Sequence, residues 1–109
     1  MGRILTSTTE TIAGFDVNQV IGLVRGNTVR TRHVGRDIMA SFKTLIGGEI
    51  EGYTDLMSDA REEALNRMLE AAEERGADAV IGIRFETSNI MDTAAELLVY
   101  GTAVKIAPK

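Results

Sequence analysis

The side chains that most often carry out chemistry in proteins are scarce in this sequence. Cysteine is absent, and histidine occurs once, as His33. A single chain therefore offers no thiolate nucleophile and none of the thiolate or multi-histidine ligand sets that zinc and softer metals prefer. A histidine metal site would need copies of His33 from several chains. The simpler interpretation of His33 is a polar residue near a strand end, beside arginines.

Paired carboxylates are the second group that could act, either on a hard cation or in acid–base catalysis. Three close pairs occur, Glu49 with Glu51, Glu62 with Glu63, and Glu73 with Glu74. Adjacent residues of a helix point about 100° apart, so the last two pairs do not converge. Glu63 is instead spaced to pair with Arg67, four residues later. The pair before the helix lacks the further oxygens that a cation needs.

Motifs for nucleotide binding and serine hydrolysis are missing. The sequence has no phosphate-binding Gly-x-x-x-x-Gly-Lys loop, no Gly-x-Gly-x-x-Gly turn and no Gly-x-Ser-x-Gly elbow. The basic segment 25–36 has no interleaved aromatic residues, and the whole chain carries a net charge of −4. We therefore expect a protein that is not an enzyme, has no cofactor and does not bind nucleic acid.

Length and composition indicate one domain, spanning residues 1–109. Only 5% of the residues are aromatic, so the core must be aliphatic. No apolar run approaches the ~18 residues of a membrane span, and the amino terminus lacks a secretory signal pattern. We expect a cytoplasmic protein without a membrane partner.

Runs rich in β-branched residues indicate the strands, and apolar residues that repeat about every 3.6 positions indicate the helices. The predicted elements are strands 3–8 and 17–32, a short helix 36–46, a connector 49–53, a long helix 55–75, and strands 79–87 and 95–106. Thr54 is the predicted N-cap of the long helix, and Gly76 closes it. Gly22 and Gly26 suggest bulges or close approaches in the long strand. The order favours an α+β domain in which an antiparallel sheet packs on one long helix.

Several predicted strands carry apolar residues on both faces, although one helix can cover only one face. Val20-Ile21, Val80-Ile81 and residues 97–100 show this pattern. Because large exposed apolar patches are uncommon on monomers, we expect a second copy of the chain to cover the remaining face. The alternative is that the short helix 36–46 folds back over it.

Charge is divided unevenly along the chain, which also favours contact between copies. Residues 1–47 hold six Lys or Arg and three Asp or Glu, whereas residues 48–109 hold six and thirteen. Oppositely charged surfaces of two copies could therefore pair.

The chain resembles the YbjQ-like family in several fragments that occur in the same order and at similar spacing. These are Gly-Gly-Glu-Ile-Glu-Gly-Tyr-Thr-Asp-Leu at 47–56, Ala60-Arg61 with Ala64, Gly-Ala-Asp-Ala-Val-Ile-Gly-Ile at 76–83, Gly-Thr-Ala-Val-Lys at 101–105, and Arg36-Asp37. The resemblance implies a two-layer, dodecin-like subunit in a ring-shaped homopentamer of unsettled function. The family also carries a heavy-metal-binding label, which one histidine and no cysteine do not support here.

Three functional hypotheses follow for the oligomer. The first is a non-catalytic binding module that holds a small ligand or a partner surface at subunit boundaries. The second is a metal-binding protein that uses carboxylates and His33 from several subunits. The third, ranked last, is an enzyme with an intersubunit site. The candidate ligand-binding residues are His33, Arg36, Asp37, Tyr53 and Arg61.

Overall fold

The computed structural model describes residues 4–31, 49–91 and 94–109 as one helix packed on one sheet. The elements are β1 (Leu5–Thr6), β2 (Phe15–Thr31), α1 (Glu49–Glu74), β3 (Ala79–Met91) and β4 (Ala94–Pro108). The predicted α+β class is confirmed. The predicted helix 36–46 lies outside the described residues.

The sheet has four strands in the order β1-β3-β4-β2, and it is mixed rather than purely antiparallel. β4 lies in the middle and pairs antiparallel with β2 and with β3, which agrees with the predicted antiparallel sheet. The antiparallel prediction is wrong at β1, which runs parallel to β3 with Leu5 opposite Ala79. The apolar pattern of a two-residue strand does not specify its direction. Residues 7–14 join β1 at one edge to β2 at the other, so they cross the width of the sheet.

The long helix begins earlier than its sequence predicts. α1 starts at Glu49, so the predicted connector 49–53 is the first part of the helix and Thr54 is not its N-cap. Gly52 lies within this first part, and one helical glycine costs only about 1 kcal/mol, which other interactions readily outweigh. β3 and β4 are likewise longer than predicted, extending to Met91 and from Ala94.

The core lies between α1 and one face of the sheet, and it is aliphatic as predicted. Ala60, Ala64, Met68 and Ala72 form the buried stripe of α1, each with no exposed surface. The small alanines let the helix approach β2 closely. At Gly26, an added Cβ would lie 2.2 Å from the carbonyl oxygen of Ala64.

The carboxyl end of α1 is closed by a Schellman motif around Gly76, as the sequence predicts. Gly76 has a φ of 79° and donates its N–H to the carbonyl of Glu73. Ala77 donates to the carbonyl of Ala72. This turn directs the chain from the helix straight into β3.

Candidate functional site

The structure does not bring the five predicted ligand-binding residues together. His33, Arg36 and Asp37 lie outside the described residues. Tyr53 lies in the first part of α1, and Arg61 is exposed on the same helix. The described residues also contain no group of three histidines, cysteines or carboxylates that could hold a metal ion.

The sheet has two unlike faces, which we call the helix face and the outer face. Residues opposite each other on neighbouring strands share a face. The buried pair Val24 and Gly101 belongs to the helix face, because Val24 packs in the core with α1. The outer face exposes aliphatic side chains of β2, with Val20 63% and Leu23 61% exposed.

A row of three residues crosses the middle of the outer face. Tyr100 on β4 lies opposite Arg25 on β2 and opposite Arg84 on β3. Both arginines are exposed, and Tyr100 is partly buried. Arg84 donates from Nη1 to the carbonyls of Thr8 and Ile83, at 2.9 Å in each case. The row therefore places two cationic side chains beside a phenol.

A second polar region is an open groove of about 470 Å³ between α1 and β2. Its lining residues are Arg30, Asp59, Glu62, Glu63, Asn66, Arg67 and Glu70. Glu63 bridges two cations, accepting from Arg30 through Oε1 and from Arg67 through Oε2. The Glu63–Arg67 pairing predicted from the sequence is thus confirmed.

The environment of Glu63 favours its charged form. The hydrogen bond from Arg30 is the largest cause, and it lowers the pKa of Glu63 below the ordinary value of 4.5. Partial desolvation opposes this effect, while the positive charges of Arg67 and Arg30 add to it. The groove is therefore held together by a carboxylate that stays ionised at neutral pH.

Arginines of α1 cover the edge of β2 that faces away from β4. Arg75 donates from Nη1 to the carbonyl of Leu23 at 3.0 Å and from Nη2 to that of Ile21 at 3.1 Å. Arg67 donates to the carbonyl of Asn27 at 2.7 Å. Another strand could hydrogen-bond this edge only by displacing these side chains.

The opposite edge of the sheet is open over the far half of β3. β1 pairs only with Ala79 and Val80, and residues 84–90 have no strand on that side within the described chain. All seven side chains are exposed, including Phe85 on the helix face. This segment, residues 84–90, is called the open half of β3.

The sequence did not single out the outer-face row or the Arg30–Glu63 contact. Each joins residues that are distant in the chain, 33 positions apart for Arg30 and Glu63. Only a known strand register could align Arg25, Tyr100 and Arg84. Arg25 lies two residues after Leu23, on the same face of the strand, and this spacing was the one signal in the sequence that pointed to the row.

Comparisons with known proteins agree with the fold. A family model described as "Putative heavy-metal-binding" matches residues 4–107. UPF0145 proteins of Shewanella frigidimarina and Methanoculleus marisnigri are 52% and 56% identical, covering 96% and 97% of this chain and 98% and 99% of their own. A UPF0145 protein of Halorubrum lacusprofundi is 59% identical over 92% of this chain and 96% of its own.

One solved structure gives the same architecture. It is a Pediococcus pentosaceus protein of unknown function that belongs to the DUF74 family, and it matches with a TM-score of 0.68 and 16% identity. The match covers 95% of this chain and 98% of that protein. At this identity the similarity supports the fold alone. Within the described residues, no helix is both long and apolar enough to cross a membrane.

Proposed function

The chain belongs to the YbjQ family of UPF0145 proteins, and from this premise we propose that it is a non-catalytic binding module that works as a homo-oligomer. The observation that carries the proposal is a group of aliphatic side chains on the outer face that the described residues leave exposed. Val20 and Leu23 are more than half exposed there, and Val29 is 48% exposed. Complete burial of a Val or Leu side chain contributes about 1.5–3 kcal/mol, so burying the half that is still exposed contributes roughly 1 kcal/mol each and favours association.

A second copy of the chain is the partner that fits best, because the sheet also ends in an open edge. The open half of β3 presents main-chain groups that no described strand pairs, and exposed strand edges readily pair with another chain. The edge of β2 is closed by Arg67 and Arg75. Association through the open half of β3 therefore leaves the arginine contacts intact. The specific form we propose is the dodecin-like, ring-shaped homopentamer that the family resemblance implies.

The mass of the untagged protein in solution tests this proposal. Multi-angle light scattering at micromolar concentration should give a multiple of the 11.8 kDa chain mass, five copies for the pentamer. Leu23→Glu, which places a charge on the outer face, should lower the mass. Asn66→Asp adds one charge on the exposed side of α1 and serves as the matched control. A wild-type mass of one chain would overturn the proposal.

The binding role needs a separate measurement. Native mass spectrometry of freshly purified protein should show an oligomer that carries a small ligand, and a metabolite panel should raise its melting temperature. An oligomer without ligand and without any thermal shift would leave a purely structural role.

The description of the matching family favours one second candidate, a metal-binding protein that uses carboxylates and His33 from several subunits. Metal content after purification without a histidine tag tests it. We expect a stoichiometric metal that is lost in His33→Ala if this candidate is right. Equal, negligible content in both proteins would remove it.

A further inference from the structure

The outer-face row of Arg25, Tyr100 and Arg84 has the arrangement of an anion clamp. Neighbouring strands lie about 4.8 Å apart, so the two arginine α-carbons flank Tyr100 across about 10 Å. The Arg25 side chain is long enough to reach over the phenol towards Arg84. A guanidinium presents paired N–H donors that match two oxygens of a carboxylate or phosphate.

The donors of this row are largely uncommitted. Among the described residues, Arg25 and the Tyr100 hydroxyl have no hydrogen-bond or ion-pair partner. Arg84 uses one of its three nitrogens for the carbonyls of Thr8 and Ile83. These two bonds fix the position of the guanidinium while Nε and Nη2 remain available. The side chain is thus positioned before a ligand arrives.

No carboxylate of the described chain neutralises the row. Glu86 lies two residues beyond Arg84 but makes no ion pair with either arginine among the described residues. Glu96 accepts a hydrogen bond from Asn27 Nδ2 at 3.0 Å instead. Two positive charges therefore remain side by side on the face of an acidic protein.

We propose that the outer-face row binds the oxyanion of a small organic molecule, a carboxylate or a phosphate. Arg25 and Arg84 hold the oxygens, and the Tyr100 hydroxyl donates a third hydrogen bond. Leu23 and Leu98, on the flanking rows of the same face, offer apolar surface to the remainder of the molecule. This site rests on the proposed binding module and specifies the class of its ligand. Arg84 begins the open half of β3, so the ligand lies beside the proposed subunit boundary.

Tyr100 itself can report binding, because the chain has only one other tyrosine, Tyr53. The aromatic NMR signals of Tyr100, identified as those that Tyr100→Phe lacks, are followed in the wild-type protein while sodium phosphate or sodium benzoate is added at constant ionic strength against sodium chloride. At least one of the two anions should give a saturable shift that chloride does not. Phosphate alone would identify a phosphate ligand, and benzoate alone would identify a carboxylate.

Charge removal then tests the assignment of the clamp. Arg25→Gln should weaken the saturable binding by about tenfold or more, which is the effect of losing one charge-assisted hydrogen bond. Lys109→Gln removes an equal charge from the exposed last residue of the chain and should leave the affinity unchanged. A shift that never saturates with either anion, or equal affinity in the two variants, would overturn the oxyanion site.

The mass of the same samples separates this inference from the proposed oligomer. An intact oligomer without saturable binding overturns the oxyanion site and leaves the oligomer standing. A chain of 11.8 kDa that still binds saturably overturns the oligomer and retains the site.

Discussion

At the scale of single residues, Thr28 stands out because it is polar in an otherwise aliphatic core. Its side chain is 2% exposed, and its hydroxyl has no hydrogen-bond partner among the described residues. A buried hydroxyl without a partner costs about 1–3 kcal/mol. We expect Thr28→Val to raise the free energy of unfolding by about 1 kcal/mol in urea denaturation. Thr28→Ser keeps the hydroxyl and should destabilise. Loss of stability in Thr28→Val would show that the hydroxyl is bonded.

Gly26 is the residue on which the contact between helix and sheet depends. An added Cβ would lie 2.2 Å from the Ala64 oxygen and 2.5 Å from the Met68 nitrogen, and both are backbone atoms. Gly26→Ala should therefore lower the free energy of unfolding by about 3 kcal/mol, through forced separation of α1 from β2. Gly14→Ala is the control, because an added Cβ there meets no atom. Its only cost is the strain of an alanine at a φ of 86°, so the loss of stability should be smaller. Equal losses in both variants, measured by chemical denaturation, would contradict this account.

Glu63 makes the stability of the chain depend on pH. Folding lowers the pKa of Glu63 below its ordinary value of 4.5. The carboxylate therefore stabilises the folded chain fully above pH 4.5, and this stabilisation is lost as the pH falls through the lower pKa of the folded state. Glu63→Gln should lower the melting temperature modestly at neutral pH. The difference between wild type and variant should shrink in acid. A difference that is constant with pH would mean that the carboxylate charge plays no part.

At the scale of elements, the arginines of α1 protect the β2 edge. Arg75→Ala frees the carbonyls of Ile21 and Leu23, which opens this edge to pairing with other chains. We expect faster aggregation in light-scattering assays at equal protein concentration. Arg61→Ala removes an exposed arginine from the same helix, and it should leave the rate unchanged. Equal rates in the two variants would show that the edge is not protected by Arg75.

The elements also show which features of the fold a sequence can reveal. The α1 stripe and the Gly76 cap were predictable because both are local, a 3.6-residue period and a glycine with positive φ. The direction of β1 was not, since it depends on pairing with Ala79 and Val80, far along the chain. Gly26 could be flagged as a close approach, but only the packed helix shows what it meets.

The candidate site was less predictable than the fold for the same reason. The Glu63–Arg67 pair lies within one helix, so the spacing of four residues was enough to predict it. The outer-face row can be aligned only when the pairing of β4 with β2 and with β3 is known. Both pairings shift at bulges, between Val20 and Gly22 in β2 and between Ile81 and Arg84 in β3. Each bulge changes the alignment of every residue beyond it.

At the scale of the whole molecule, the chain is longer than a sphere of its size. Its radius of gyration is 17.5 Å, whereas a compact domain of this length has about 13 Å. The long axis measures 56 Å, and the 15 residues of β4 alone account for about 50 Å of extended strand. The strands therefore extend well beyond a compact core, and all seven side chains of the open half of β3 are exposed.

Hydrogen exchange of the open half of β3 tests whether another chain completes this extension. Within the part of the chain that the structure describes, residues 84–90 pair with β4 only, so their N–H groups that point away from β4 have no strand partner. Association along this edge would slow their exchange, so protection should rise with protein concentration and fall in Leu23→Glu. The amides of Val99 and Ala103, buried between two strands, should stay protected throughout. If exchange at 84–90 is independent of concentration while the mass shows an oligomer, the copies meet through the outer face and not through the open half of β3.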